Sequence, residues 1–315
     1  MQSPSMLLIA FAATYAYAVV AGAALGRPLG QRYATWIATP LLLAPLLLPT
    51  CHVGGRAAVS FVAVDLALKV VDYGRELRLG WPGRWREFLG LLPPMPLLLV
   101  RFKDRPPLHG LTIGLDLARV LFGGAVVLGV FALLQPLSYL QAIRENFWLD
   151  HVVKVTLFIV LIEVGSYAMQ GAERLLGYDT ARPMRNFYLS LTPAEFWARY
   201  NTRVHSWLEA NVYRPCGGRI RGILAVFFVS AVLHELMFDI TTSHPDGYQF
   251  TFFMLQAPAV IASPWLKRHA DRLGIIGHAT VRVLTIVWFY ATSIFFFRGV
   301  ERIFPIVYAS QPWLP

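Results

Sequence analysis

Residues 186–239 read NFYLSLTPAEFWARYNTRVHSWLEANVYRPCGGRIRGILAVFFVSAVLHELMFD, and this stretch decides what kind of chain this is. Its first part mixes aromatic, basic and polar side chains. Its last part, residues 222–238, is an apolar helix with His234 and Glu235 inside it. Ionisable groups at membrane depth are expensive, so they mark functional positions. No other stretch combines a potential proton acceptor, a cluster of arginines and a bilayer-depth setting.

The rest of the chain agrees with a membrane setting. Of 315 residues, 56% are hydrophobic and only 15% are charged, against about 25% charged in a soluble domain. The mean hydropathy is +0.52, and the apolar residues come in long runs. Fold class follows: an all-α, polytopic integral membrane helical bundle of about eight spans, forming one domain over residues 1–315. The expected spans are 1–26, 33–51, 57–73, 111–134, 152–169, 222–238, 248–266 and 279–297. Residues 1–26 carry no charge and lack the basic start of a signal peptide, so they read as a retained helix. Pro40 and Pro45 predict a bend in the second span. In the third, Asp65, Lys69 and Asp72 fall on one helical face, an internally paired stripe turned toward the bundle. Asp116 and Arg119 read as a structural pair, and Glu163 as a carboxylate seeking an arginine or polar group on a neighbour. The connection from Arg75 to Gly110, with Pro82-Gly83 and Pro93-Pro94, predicts a short interfacial helix near residues 85–92.

Cys51 and Cys216 are the two cysteines, too few for a disulfide framework or a Cys-rich zinc site. The net charge of +10 is held in alternate loops, as a cytoplasmic face requires, and not in a nucleic-acid-binding pattern. Arg84, Arg101, Lys103 and Arg105 belong to one such loop, Arg182 to Arg221 to another, and Lys267, Arg268 and Arg272 to a third. That alternation places both termini outside and the start of residues 196–201 on the cytoplasmic side. Localisation is integral membrane, multi-pass, with endoplasmic reticulum and bacterial inner membrane both compatible.

Three short motifs follow one another in this stretch. They are Phe196-Trp197-x-x-x-Asn201, then Val212-Tyr213-x-Pro215, then Phe228-x-Ser230-x-x-x-His234-Glu235-Leu236. In that order they resemble the signature of the membrane-bound O-acyltransferase family, nearest its wax-synthase branch. Val204-His205-Ser206-Trp207 echoes the sterol and diacylglycerol acyltransferase branch. The resemblance runs over residues 187–268. Gln256-Ala257 departs from it, standing where the wax-synthase branch often has His-Gly. The resemblance implies transfer of a fatty acyl group from acyl-CoA to the hydroxyl of a lipophilic alcohol within the bilayer. Acyl-CoA is then a co-substrate, with no cofactor, metal or nucleic acid. Sterol, diacylglycerol or secondary-metabolite hydroxyls are alternative acceptors.

Such a transfer needs a base for the attacking hydroxyl, a donor for the carbonyl oxygen, and cations for the CoA phosphates. His234 supplies the base and Asn201 the donor, and the resemblance implies the same two roles. Charge alone nominates Arg199, Arg203, Arg214, Arg219 and Arg221 for the phosphates, with Arg199 and Arg203 first because they flank Asn201. On a continuous helix Asn201 shares a face with Trp197 and with His205. Ser230, four residues before His234, either orients the imidazole or bonds its own helix. Trp197, Ser230 and His205 therefore join the substrate-binding set. His234-Glu235 does not continue into a zincin motif, because Phe238 occupies the second histidine position. His234 and Asp239 stand about 140° apart on a helix and form no dyad unless it ends between them. A transporter or a non-enzymatic scaffold is the rival class; a transporter predicts broken helices in an inverted repeat, which the sequence does not display.

Overall fold

The computed structural model describes residues 4–81, 85–93, 110–178, 182–305 and 307–310, and its regular elements are all helical. Pro82-Gly83, Pro94, Arg84, Arg101, Lys103 and Arg105 lie outside the described residues. Helix α1 is Pro4–Ala24 and α2 is the short Pro28–Arg32. Helix α3, Ala34–Ala38, runs directly into a 3₁₀ stretch, Thr39–Leu47. The bent span expected here is thus five residues of α-helix followed by nine of 3₁₀. Pro40 and Pro45 remove two amide donors, and the chain responds with tighter winding. Helix α4 is Val53–Arg78, and α5, Trp85–Leu91, is the short helix expected in the following connection.

Helix α6 (Gly110–Ser138), the short α7 (Gln141–Glu145) and α8 (Phe147–Leu175) come next. The segment after α8 holds α9 (Pro193–Arg199), α10 (Thr202–Leu208) and one π turn, Glu209–Tyr213. Helices α11 (Arg219–Thr242), α12 (Tyr248–Arg272) and α13 (Gly274–Ile303) finish the bundle. Among the described residues, five helices are long and apolar enough to cross a membrane: α1, α6, α8, α11 and α13. Helices α4 and α12 are as long, at 26 and 25 residues, but more polar.

Charge pairing explains how α4 stays inside. Lys69 Nζ lies 2.5 Å from Asp65, and both are buried. Lys69 also donates to the Pro93 carbonyl at 3.0 Å, and Asn211 donates to Asp72 at 3.4 Å. Helices α6 and α8 pack closely because glycines face the partner. A Cβ at Gly123 would lie 2.7 Å from that of Ala168, and one at Gly171 would lie 2.6 Å from the Asp116 carbonyl. Asp116 then joins the pair by accepting from Arg119 at 2.6 Å and from Arg174 at 2.9 Å. At the start of α8, Asp150 accepts from the backbone of Ala309 and Ser310, and Lys154 donates to Val307, which straps residues 307–310 to this helix.

The segment between α8 and α11 is held from several sides. Glu163 Oε1 meets Arg182 at 3.3 Å and accepts from the Asn186 amide at 3.1 Å, which ties this segment to α8. Arg203 grips Glu173 of α8 with two bonds of 2.6 Å, and both are buried. Trp207 donates to the Leu68 carbonyl of α4 at 2.9 Å. Ala194 donates to Ser263 of α12, and Thr285 of α13 donates to the Leu191 carbonyl.

Breaking a buried pair strands one charge at about 3–5 kcal/mol, whereas replacing both partners by apolar groups is close to neutral. Arg203→Met is therefore expected to destabilise the protein by that amount in detergent, and Glu173→Leu/Arg203→Met to recover most of it. Equal stability of the single and double variants in thermal or denaturant unfolding would remove the pair from the scaffold.

Candidate active site

The local sequence explains how α9 is placed. Thr192 caps it, its side chain accepting from the Glu195 amide at 3.3 Å. Glu195 reaches back to the Leu191 amide at 2.7 Å, and Pro193 fills the first helical turn. The helix then stops. Asn201 adopts the left-handed conformation (φ 44°), and its side-chain Oδ1 accepts from the Val204 amide at 3.3 Å, capping α10. Asn is one of the few residues with a side chain that tolerates this conformation. The sequence predicts one continuous helical face for Trp197 and Asn201; the structure corrects this, because the helix ends between them. The break between them instead brings both onto one cavity.

That cavity has a volume of about 540 Å³ and lies among α8 to α13. Its walls are mostly apolar and rich in aromatic rings. Asn201, Trp197, Ser230, His205 and His234 all line it. The His234 Nδ1 atom lies 2.8 Å from the Ser230 carbonyl oxygen. A carbonyl only accepts, so Nδ1 carries the proton and Nε2 keeps its lone pair. Ser230 thus orients the imidazole through its backbone carbonyl. The ring packs 4.1 Å from that of Phe253. Because Asn201 spends its Oδ1 on the cap, its Nδ2 amide is the end left to donate.

Glu235 does other work. It accepts from the Gly247 amide at 2.6 Å and the Phe250 amide at 2.7 Å, so it caps the start of α12. Helix α11 continues unbroken to Thr242, which keeps His234 and Asp239 apart and excludes that dyad. Arg199 and Arg203, expected beside the substrate, do not line the cavity. Arg203 is committed to Glu173, and Arg199 pairs with Glu195 one turn earlier. Arg219 and Arg221 are exposed instead, and Tyr213, which lines the cavity, accepts from the Arg219 amide at 3.0 Å. His205 is exposed at the cavity margin, with Glu209 paired to Arg214 nearby.

Tyr200 is a cavity residue the sequence reading missed. Burial pushes its hydroxyl up to about 12. The available signal was its place beside Asn201, hidden by placing Trp197, Asn201 and His205 on one continuous helical face. No group of three or more His, Cys, Asp or Glu side chains suited to a metal occurs among the described residues.

Residues 146–298 match the model of the membrane-bound O-acyltransferase family. The chain is 29% identical over 120 residues to diacylglycerol O-acyltransferase 1 of Corylus americana, covering 37% of this chain and 21% of that protein. It is 30% identical over 87 residues to diacylglycerol O-acyltransferase 1-1 of Oryza sativa subsp. japonica, covering 26% and 16%. It is 26% identical over 187 residues to probable long-chain-alcohol O-fatty-acyltransferase 6 of Arabidopsis thaliana, covering 52% and 51%. The chain thus spans about a fifth of the first relatives and half of the last.

Asn201→Ala is expected to lose the cap, about 1 kcal/mol, and to strain the left-handed backbone by a further 1 kcal/mol or so. Asn201→Gly keeps the backbone and costs only a few tenths. Thermal unfolding of the two variants side by side checks the order; a glycine variant no more stable than the alanine one contradicts the geometry.

Proposed function

We propose that this protein transfers a fatty acyl group from acyl-CoA to the hydroxyl of a lipophilic alcohol, giving a neutral ester. The observation that carries this reading is the pairing of two fixed orientations on one apolar cavity: His234 held as a base, and Asn201 held as a donor. The acceptor hydroxyl gives its proton to Nε2 as its oxygen attacks the thioester carbon. The oxygen of that carbonyl takes up charge and accepts from Asn201 Nδ2. The C–S bond then breaks, and His234 returns the proton to the departing thiolate. The aromatic walls exclude water, which otherwise competes with the alcohol for the acyl group.

The match to the long-chain-alcohol acyltransferase extends over half of both chains, and it supports a monohydric long-chain alcohol as acceptor. Diacylglycerol is the second reading, favoured by the names of the other relatives. Purified protein supplied with labelled acyl-CoA and a panel of long-chain alcohols, sterols and diacylglycerol separates them by which labelled ester forms.

His234→Ala is expected to lower the rate by about 10²–10⁴ and Asn201→Gly by about 10²–10³, in protein that remains monodisperse. Activity within a few-fold of wild type in either would sink the role given to that residue.

We assign the CoA phosphates to Arg219 and Arg221, which are exposed at the start of α11, where the Arg219 amide meets the cavity residue Tyr213; Arg214, also exposed, is paired with Glu209. Their replacement by Gln is expected to raise the KM for acyl-CoA about tenfold or more, since a charged hydrogen bond contributes roughly 1.5–3 kcal/mol, with little change in kcat. An acyl-pantetheine lacks the nucleotide phosphates and should not respond; an equal response to both donors would contradict phosphate binding.

A further inference from the structure

We propose that the hydroxyl of Tyr200 is a second donor to the acyl carbonyl oxygen, acting beside the Asn201 amide. The proposal rests on the acyl-transfer reading above and adds a catalytic residue to it.

The ring of Tyr200 lines the cavity and is fixed by other rings. It stacks on Phe196 at 5.6 Å and 9°, and meets Phe187 edge-on at 5.2 Å and Trp197 at 5.5 Å. Its amide donates to the Phe196 carbonyl at 2.8 Å, which fixes the backbone just before the break at Asn201. With the ring so held, the hydroxyl has no hydrogen-bond partner among the described residues. Tyr200 is partly buried on the wall of an apolar cavity, where a substrate oxygen entering the cavity completes the hydroxyl's bonding. Desolvation keeps the phenol neutral and able to donate across the working pH range.

In the step, His234 Nε2 takes the acceptor proton as the new C–O bond forms, and the carbonyl π electrons move onto oxygen. That oxyanion accepts from Tyr200 O–H and Asn201 N–H. Collapse restores C=O and breaks C–S, and the thiolate leaves with the proton from His234. Tyr200 ends the cycle with its own proton.

Tyr200→Phe removes one oxygen and retains the stacked ring. The expected result is a fall in kcat of about 10²-fold, the scale of one oxyanion donor, with the KM for acyl-CoA unchanged and the thermal midpoint unchanged or raised. A purely structural hydroxyl would lower the midpoint instead. The direct readout is the infrared band of acyl-CoA labelled with ¹³C at the carbonyl, bound to His234→Ala protein so that it does not turn over. Adding Tyr200→Phe is expected to move that band to higher frequency. An unmoved band, or a kcat within a few-fold of wild type, overturns the Tyr200 assignment and leaves acyl transfer standing. No labelled ester from wild-type protein with any acceptor of the panel overturns acyl transfer and the Tyr200 assignment together.

Discussion

An ionised side chain at bilayer depth is tolerated when a counter-charge or a set of amides meets it, and this architecture is jointed at such meetings. Asp116 takes two arginines and so fixes α6 against α8. Asp150 takes the backbone amides of Ala309 and Ser310 and fixes that segment on α8. Glu173 takes Arg203, and Glu163 takes Arg182. The last two joints hold the segment between α8 and α11, which carries Trp197, Tyr200 and Asn201. The carboxylates of α8 therefore position the cavity without lining it.

Holding that segment from outside permits a break inside it. A continuous helix from 193 to 208 would turn Asn201 about 40° past Trp197, since four residues rotate about 400°. The break places Asn201 at a cap, where its own carbonyl oxygen is consumed and its amide nitrogen is left to donate. A single Asn thus supplies the left-handed turn, the cap and the free N–H. The amide needs no separate device to select its orientation, because the cap selects it.

Much of this was legible in sequence. The apolar runs predicted α1, α6, α8, α11 and α13 with ends off by up to six residues, because membrane spans are written as length and hydropathy. The Asp65 and Lys69 spacing predicted their pairing, because helical neighbours follow from the period alone. His234, Ser230, Trp197, His205 and Asn201 were expected together, and they share a cavity. What sequence did not carry were choices between partners remote in the chain. Arg203 lies next to Thr202 and two residues from Asn201, yet Glu173, 30 residues earlier, decides its role. The charge of Arg199 is likewise answered locally by Glu195. The helix break was missed because Asn201 is also compatible with a helix interior, where only its propensity is poor. Pro40 and Pro45 were read as a kink, but two prolines so close leave too few amide donors for an α-helix to resume between them.

The pair His234-Glu235 shows how the base and its surroundings are tied together. Consecutive residues on a helix point about 100° apart, so the two side chains serve different neighbours. Glu235 reaches across to the amides of Gly247 and Phe250, at the N-terminal end of α12. An anion there is favoured by the helix dipole as well as by the two bonds. Phe253 stands three residues further along α12, nearly one turn from Phe250, and its ring is the one packed against His234. The carboxylate thus sets the register of α12 against α11, and that register places Phe253 on the imidazole. On the other side, the Ser230 carbonyl of α11 itself holds Nδ1. The ring of His234 is fixed by its own helix at one nitrogen and by α12 at one face, and the second contact depends on the residue that follows it in sequence.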